Sequence, residues 1–256
     1  MADGVRLRDL RIETHDRVLV EGVSLQLQPG CLTVLVGASG SGKSLTARSL
    51  LGLVGARPGV TGGELEVEVD GTVHRPYTDG SFAKLRGGVI GWLPQDARGA
   101  LNPVWSVGRQ VREALRLGAQ STDVTGTLTR AGFQDPERVA CLYPHELSGG
   151  MAQRACIALA LARGSRYLLA DEPTTGLDPT VQEGILDELV ALKQQRVGIL
   201  LITHDLRLVP RLGDRLLVMA TGRLVEDLPA QDLQRVSAPE ARQLLEATRR
   251  ISGGVL

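Results

Sequence analysis

The segment Gly37–Ser44, GASGSGKS, constrains the fold of this chain more than any other stretch. It fits the pattern G-x-x-x-x-G-K-[ST]; an apolar run, Leu32–Val36, precedes it, and a helical pattern begins at Lys43. Glycines at positions 37, 40 and 42 allow backbone N–H groups to turn inward around a phosphate chain. A strand, a glycine-rich loop and a helix in this order predict an α/β protein that binds phosphate groups.

Each residue of this phosphate loop (Gly37–Ser44) has an expected contact. We expect Lys43 to reach the β- and γ-phosphates of a nucleotide, and the Ser44 hydroxyl to supply one ligand to Mg²⁺. The backbone of the preceding residues would surround the phosphate chain: Gly37, Ala38, Ser39, Gly40, Ser41 and Gly42. The alternative is a glycine-rich turn that matches by chance, and the flanking strand and helix argue against it.

A second apolar run ends in two carboxylates. Tyr167–Ala170 is a predicted strand that delivers Asp171 and Glu172 to its carboxyl end, where ligands bind in open α/β sheets. Asp171 is then the metal-side carboxylate, and Glu172 orients or deprotonates the attacking water. An ordinary solvated turn is the alternative, and the phosphate loop makes it the weaker one.

Two further predicted strands end in polar residues. Val197–Ile202 leads to His204, which we expect to contact the γ-phosphate, although a structural hydrogen bond is the commoner role for such a histidine. Val89–Leu93 leads to Gln95, whose amide could reach Mg²⁺ or water from a third direction. A glutamine at a strand end carries no signal by itself.

A fifth motif, LSGGMAQR at Leu147–Arg154, lies between Gln95 and the two acids. Five motifs in this order resemble the nucleotide-binding subunits of ABC transporters, and the resemblance runs from about Val5 to Glu226. The stretch PQDARGALNPVWSVGRQV and the stretch YPHELSGGM are similar to the subgroup that serves dipeptide, oligopeptide and nickel importers. The resemblance implies that the chain binds and hydrolyses ATP with Mg²⁺.

The resemblance also implies roles for individual residues. Lys43 and Ser44 contact phosphate and magnesium, and Gln95 has a sensing role at the metal. Ser148, Gly149 and Gly150 cap the ATP bound to a partner subunit. The remaining roles fall to Asp171 as the Walker B metal-side acid, Glu172 as the catalytic base, Asp178 as the loop acid at the dimer interface and His204 as the γ-phosphate switch.

One element departs from the family pattern. Relatives usually place an aromatic ring on the adenine shortly after the first strand, and the matching stretch, Thr14–Arg17, offers only His15. A neutral imidazole should stack more weakly, so base selectivity and ATP affinity are the properties in question.

The resemblance implies an assembly. The partners would be a second ATP-binding subunit, arranged head to tail around two ATP molecules, two permease subunits, and an extracytoplasmic solute-binding protein that acts through the permease. The chain would be peripheral at the cytoplasmic face of the inner membrane. The stretch Gln95–Ser106 would receive a permease helix, with Leu101, Pro103 and Trp105 as its apolar groups; burial of Trp105 inside the helical subdomain is the alternative.

Composition excludes several classes of protein. No apolar run approaches the ~18 to 20 residues that cross a bilayer, and the N-terminus has no signal-peptide core. The net charge is +0 with scattered basic residues, so we expect no nucleic-acid partner. Cys31, Cys141 and Cys156 lack metal-like spacing, which predicts reduced, small buried residues in a cytosolic protein.

The periodicity of the apolar residues changes along the chain. Alternation in Leu65–Val69 predicts an antiparallel sheet, four-residue recurrence in Val107–Leu115 predicts helices, and strands alternate with helices again from Tyr167. With the resemblance, this predicts an α/β fold in a single nucleotide-binding domain, 1–256. A P-loop NTPase (RecA-like) core and an antiparallel β subdomain together take up 1–95 and 165–228, a helical signature subdomain takes up 96–164, and short C-terminal helices take up 229–256.

The transported substrate stays open at this point. Peptide-importer relatives often continue into a Cys-bearing extension, whereas this sequence has no Cys after Cys156, which favours the nickel type with peptides next. Another ABC complex, of the phosphonate-degradation or exporter type, is the alternative within the superfamily. A soluble P-loop phosphotransferase such as a kinase is the alternative outside it, and it leaves LSGGM unexplained.

Overall fold

The computed structural model describes residues 3–118 and 122–251. Within these ranges the strands are β1 (Gly4–Thr14), β2 (Val18–Leu27), β3 (Leu32–Val36), β4 (Pro58–Val69), β5 (Thr72–His74), β6 (Ile90–Leu93), β7 (Tyr167–Asp171), β8 (Gly198–Ile202), β9 (Arg215–Ala220) and β10 (Arg223–Pro229). The α-helices are α1 (Lys43–Ser49), α2 (Pro76–Asp79), α3 (Phe82–Leu85), α4 (Ala97–Ala100), α5 (Val107–Gly118), α6 (Val124–Arg130), α7 (Pro136–Cys141), α8 (Gly149–Ala162), α9 (Pro179–Gln194), α10 (Leu208–Leu212) and α11 (Pro239–Ile251). Short 3₁₀ turns lie at Pro144–Glu146 and Ala230–Arg235.

The chain divides into two units by its internal contacts. The first unit combines Met1–Ala83 with Gly198–Leu256, and the second unit is Lys84–Val197. Helices α4 to α8 fall inside the stretch 96–164 for which the sequence predicts helices. The subdomain boundaries proposed from the sequence stay a prediction.

In the first unit the strands β10, β9, β3 and β8 are neighbours in that order. β3 runs parallel to both β8 and β9, with Leu35 opposite Ile202 on one side and Leu217 on the other. All residues of β3 and β8 are buried, as a parallel sheet covered on both faces requires. The carboxyl ends of β3 and β8 therefore reach the same edge of the sheet.

A second sheet of the first unit is antiparallel, in the order β2-β1-β4-β5. Val5 pairs with Val67 and Leu7 pairs with Leu65, and all four side chains are buried. The alternation of Leu65 and Val67 along the sequence thus follows the inward face of β4. This confirms the predicted antiparallel sheet.

In the second unit β6 and β7 pair in parallel, with Leu93 opposite Ala170. The helix α8 packs closely on β6, since a Cβ added to Gly91 would lie 2.9 Å from the Ala160 Cβ. α8 begins at Gly149, because the Ser148 side chain caps the helix by accepting a hydrogen bond from the Met151 N–H at 3.2 Å.

Two properties predicted from composition have a structural counterpart. No helix in residues 3–118 and 122–251 is long and apolar enough to cross a membrane. In the same ranges no disulfide joins the cysteines, and the prediction that all three are buried is wrong: only Cys156 is buried, whereas Cys31 is half-buried and Cys141 is exposed. Burial raises the pKa of the Cys156 thiol to about 12, so this group stays protonated at neutral pH.

Candidate nucleotide site

The phosphate loop joins β3 to α1, as its sequence context predicted. Gly37 has φ +154° and leaves no room for a side chain, because an added Cβ would lie 2.2 Å from the Met219 carbonyl oxygen. Gly42 has φ +103°, with Val20 Cγ2 3.1 Å from the place of its missing Cβ. Only glycine satisfies both the backbone conformation and the close approach at these positions.

The side chains of the loop point polar atoms into it. Lys43 is buried, and its Nζ donates to the carbonyl oxygens of Gly37 at 2.8 Å and Ala38 at 2.9 Å. Ser41 Oγ is buried and has no hydrogen-bond partner among the residues that the structure describes. A buried ammonium and a buried, unsatisfied hydroxyl in a glycine nest fit an anionic ligand with several acceptor oxygens.

Each unit by itself carries oxygen donors of the kind that Mg²⁺ prefers. In the first unit Ser44, half-buried, follows Lys43 in the first turn of α1, and in the second unit Asp171 and Gln95 offer carboxylate and amide oxygens. Mg²⁺ usually takes only one or two carboxylates and completes its shell with phosphate and water. Residues 3–118 and 122–251 contain no cluster of three or more His, Cys, Asp or Glu side chains able to hold a metal by themselves.

His204 follows β8 and is exposed, at the same sheet edge as the phosphate loop. Its neighbour Asp205 holds this turn: Arg207 forms a fork on the carboxylate at 2.8 and 2.7 Å, and the Asp205 N–H donates to Thr203 Oγ1 at 3.0 Å. Burial raises the pKa of the Asp205 carboxyl. The hydrogen bonds from Arg207 lower this pKa by more than burial raises it, so the net pKa lies below its usual value. The ion pair therefore persists well below neutral pH.

The two acids occupy the end of β7 in different ways. Asp171 is the last, buried residue of the strand, and Glu172 is half-buried with φ +48°. Thr175 Oγ1 donates to Glu172 Oε2 at 3.0 Å. A non-glycine residue in the left-handed region is uncommon and such residues cluster at functional sites. Neither this backbone conformation nor the Thr175 contact was predictable from the sequence.

Gln95 is exposed, two positions beyond Leu93, so it lies at the same end of the β6–β7 pair as Asp171. Its main chain is tied to α8, because the buried Gln153 donates from Nε2 to the carbonyl oxygens of Pro94 and Gln95, each at 3.3 Å. Arg98 also donates to the Leu147 carbonyl oxygen. Neither contact was predicted from the sequence, and the available signal was the polar Gln153 in the mainly apolar helix α8.

Ser148, Gly149 and Gly150 form the first turn of α8. Ser148 and Gly149 are exposed and Gly150 is buried. The helix has 14 residues, and its first N–H groups carry a partial positive charge that favours an anion. Within the second unit, this turn is thus a surface that suits a phosphate group.

Asp178 is exposed and caps α9, where its Oδ1 accepts a hydrogen bond from the Val181 N–H at 3.2 Å. Pro179 occupies the first helical position. An N-cap acid followed by a proline in the first turn is a common way to begin a helix. The role of Asp178 at a dimer interface stays a prediction.

His15 is exposed in the turn Thr14–Arg17, which the Thr14 N–H closes by donating to the Arg17 carbonyl oxygen at 2.8 Å. The turn therefore leaves the imidazole accessible to a ligand. Whether it meets adenine stays a prediction.

The apolar stretch after Gln95 requires a correction. Leu101 is 4% exposed, so it belongs to the core of the second unit and is no surface group. Val104 is 73% exposed instead, and Trp105 is half-buried with the Arg109 guanidinium 4.1 Å from its ring centroid. Gln110 Nε2 holds this loop by donating to the carbonyl oxygens of Asn102 and Trp105. The sequence could not show which apolar side chain turns inward.

Comparison with known proteins agrees with this geometry. Residues 20–175 match the family model described as ABC transporter. The chain is 41% identical over 254 residues to the nickel import ATP-binding protein NikD of Pseudomonas putida, covering 95% of this chain and 94% of that one. It is 40% identical over 240 residues to NikD of Brucella suis, covering 91% and 88%. Similarity to the oligopeptide transport ATP-binding protein OppD of Mycobacterium tuberculosis, 41% over 224 residues, covers 84% of this chain but 36% of that protein.

Solved structures have the same fold. The dimeric ATP-binding cassette MJ0796, in a post-hydrolysis state bound to ADP and phosphate, is 26% identical with a TM-score of 0.71, covering 88% of this chain and 98% of that one. The protein cbiO1 from Clostridium perfringens, part of the ABC transporter complex cbiONQ, is 25% identical with a TM-score of 0.75, covering 99% and 98%. The predicted α/β P-loop fold is thus confirmed. The chain belongs to the ABC transporter family, as an ATP-binding and ATP-hydrolysing subunit similar to those of nickel and oligopeptide importers.

Proposed function

We propose that this chain powers a binding-protein-dependent importer of nickel or small peptides, with nickel the first choice. The observation that carries its nucleotide chemistry is the glycine nest of the phosphate loop, into which the buried Lys43 Nζ and the unsatisfied Ser41 Oγ project. The choice of nickel is supported by similarity to nickel import proteins along nearly their whole length. Oligopeptide import remains the second choice.

The phosphate loop binds the nucleotide through its backbone N–H groups. Lys43 exchanges its two carbonyl contacts for oxygens of the β- and γ-phosphates, a gain of charge-assisted hydrogen bonds. Ser44, Asp171 and Gln95 would hold Mg²⁺, which neutralises charge on the phosphate oxygens when bound. His204, on the turn fixed by Asp205, contacts the γ-phosphate.

Glu172 is the proposed catalytic base. A carboxylate accepts the proton of the attacking water, and its orientation decides whether it can do so. Thr175 fixes one carboxylate oxygen, Oε2, and the left-handed backbone at Glu172 sets the direction in which the side chain leaves the strand end. Both features support positioning of a reactive carboxylate.

Two such subunits would close head to tail, with each ATP between the phosphate loop of one and Ser148–Gly150 of the other. Only a difference in partner affinity between the ATP and ADP states can drive opening and closing, and the γ-phosphate supplies it. Two permease subunits and an extracytoplasmic solute-binding protein complete the importer. The chain is then peripheral, at the cytoplasmic face of the inner membrane.

The test is the Glu172→Gln variant, which keeps side-chain size and removes the base. We expect ATP binding to persist, phosphate release to fall by about a hundredfold or more, and an ATP-dependent dimer to accumulate on size-exclusion chromatography. The unmodified chain should release phosphate without any added acceptor, which separates an ATPase from a phosphotransferase. Turnover of the variant within a few-fold of the unmodified chain would reject Glu172 as the base.

A separate experiment addresses the cargo. Uptake of labelled nickel and of labelled dipeptides is compared in a strain that lacks this gene and in the same strain complemented with it. Loss of nickel uptake alone supports the first choice, and loss of dipeptide uptake alone supports the second.

A further inference from the structure

The first turns of α8 and α9 touch within the second unit. A Cβ added to Gly150 would lie 2.2 Å from Val181 Cγ1, and one added to Gly149 would lie 2.7 Å from Leu177 Cδ2. Neither glycine has a positive φ, so backbone conformation does not require glycine at these two positions. The close approach of the neighbouring segment is what excludes a side chain here. The signature turn (Ser148–Gly150) therefore rests directly on the loop and helix that carry Asp178.

The contact continues along both helices. Arg154 Nε lies 2.6 Å from Glu188 Oε1, and both side chains are largely buried. Gly184 makes room for this pair, since a Cβ there would lie 2.7 Å from one terminal nitrogen of Arg154. The spacing 150–154 on α8 and 181–184–188 on α9 follows one face of each helix. We call these residues the contact stripe.

Glu188 makes the contact stripe sensitive to disruption. Burial raises the pKa of its carboxyl, and the Arg154 guanidinium offsets only part of that rise. Its Oε2 is buried without a hydrogen-bond partner among the described residues. Removing one member of such a pair leaves the other partly desolvated and unpaired. The resulting loss of folding free energy is larger than the stabilisation that an exposed ion pair provides.

We propose that the contact stripe holds the signature turn and the Asp178 loop as one rigid body, with Val181 and Glu188 as positioning residues. The proposal rests on the proposed function, in which both segments meet the partner subunit. It gives Gly150 a second role: besides its proximity to the partner's ATP, its missing side chain admits Val181. Val181 is β-branched and has few alternative rotamers in a helix, so it cannot turn away from an added methyl group. Leu177 presents the flexible end of its side chain to Gly149 and can give way.

The experiment is a rescue. In the isolated chain without nucleotide, Gly150→Ala should raise hydrogen exchange at the Val181 N–H, which Asp178 caps, by about tenfold. The double variant Gly150→Ala/Val181→Ala should return exchange to within about threefold of the unmodified chain. Thr180→Ala is the matched second-site control, because Thr180 is an exposed neighbour in the same turn and should not rescue. Gly149→Ala should have the smaller effect.

A second readout separates positioning from folding. In the Glu172→Gln background, Gly150→Ala and Glu188→Ala should each lower ATP-dependent dimer formation about tenfold or more, while each monomer's own ATP affinity stays within about twofold. Val181→Ala should restore the dimer in the Gly150→Ala chain. If Gly150→Ala does not fold, a double variant that folds supports the proposal and one that does not overturns it.

The two proposals fail differently. If the Glu172→Gln chain with an intact contact stripe forms no ATP-dependent dimer, the head-to-tail assembly alone is rejected. Hydrogen exchange at Val181 still tests the rigid body, because it is measured in the isolated chain. Unchanged exchange in Gly150→Ala, or rescue by Thr180→Ala as well as by Val181→Ala, overturns the contact stripe.

Discussion

At the scale of single residues, Lys43 shows how the phosphate loop is prepared for a ligand. The Lys43 ammonium rests on carbonyl oxygens of its own loop, at 2.8 and 2.9 Å. These contacts are weaker substitutes for phosphate oxygens, because a carbonyl is neutral. The loop is therefore organised before the nucleotide arrives, which lowers the cost of ordering it on binding.

Lys43→Ala should weaken nucleotide binding itself. Loss of a hydrogen bond to a charged group costs about 1.5–3 kcal/mol, so the Kd for ATP should rise roughly 10- to 150-fold. Titration of each variant with ATP measures the effect. Lys84→Ala is the control, because Lys84 is exposed on α3 and should leave the Kd unchanged. Equal ATP affinity in Lys43→Ala and the unmodified chain would count against the phosphate loop as the binding site.

The exposed His15 leads to a prediction about base choice. If it is the residue that meets adenine, His15→Tyr should tighten ATP binding by at most about 1 kcal/mol, the usual scale of an aromatic contact. Competition between ATP and GTP in the unmodified chain is the measurement. A preference for ATP of a hundredfold or more would show that another side chain recognises the base.

At the scale of elements, the positions of strands were easier to predict than the exposure of individual loop side chains. The strand Leu32–Val36 and the start of α1 at Lys43 agree with their predicted positions, since an all-buried parallel strand appears in sequence as an uninterrupted apolar run. The Ser148 cap of α8 was not predicted, because Ser148 lies in the LSGGMAQR motif and was interpreted as a residue that contacts ATP. The Leu101 side chain is buried because of the way in which the loop folds around Gln110. The spacing of apolar residues along the sequence does not predict the fold of such a loop.

In the candidate site, too, some residues could be predicted from the sequence and others could not. Sequence order placed Gln95 and the acids at strand ends, because parallel strands bring their carboxyl ends to one edge. It could not find Gln153, Arg98 or Thr175, since their contacts depend on where α8 and the turn after β7 lie in space. Residues that carry a motif were thus predictable, and residues that hold the motif in place were not.

Attachment of α11 should depend on pH. Glu226 accepts hydrogen bonds from the N–H groups of Ser237 and Ala238, just before this helix, and from the Ser237 hydroxyl. Burial raises the pKa of the Glu226 carboxyl. These hydrogen bonds lower it by more than burial raises it, so the net pKa is below the usual value. A lowered pKa means that the attachment is fully present above the usual glutamate pKa of about 4.3 and is lost as pH falls through the lower folded value.

Hydrogen exchange of the α11 amides, corrected for intrinsic rates, measures this attachment. Protection should be constant from neutral pH down to the usual glutamate pKa and fall below it. Glu226→Gln should lower protection at neutral pH, whereas Glu240→Gln, at an exposed position in the first turn of α11, should not. Equal protection in all three proteins would reject Glu226 as the anchor.

At the scale of the whole molecule, the proposed importer requires a surface of this chain that binds the permease. The correction at Leu101 leaves Pro103, Val104 and Trp105 as the apolar groups near the surface of the stretch after Gln95. The Gln153 side chain donates to the carbonyl oxygens of Pro94 and Gln95 and so ties the start of this stretch to α8. The proposed permease contact is therefore centred on Val104.

Charged substitutions at Val104 and Leu101 should have opposite consequences. Val104→Glu places a carboxylate in solvent, so the isolated subunit should stay folded and hydrolyse ATP at the unmodified rate, yet lose co-purification with the permease and lose transport. Leu101→Glu buries a carboxylate in the core and should lower the free energy of unfolding by about 3–5 kcal/mol. Thermal unfolding, ATPase assays and affinity purification of the complex distinguish the two. Normal co-purification of Val104→Glu with the permease would move the contact surface elsewhere, because a carboxylate at the centre of an apolar interface cannot be accommodated without a partner.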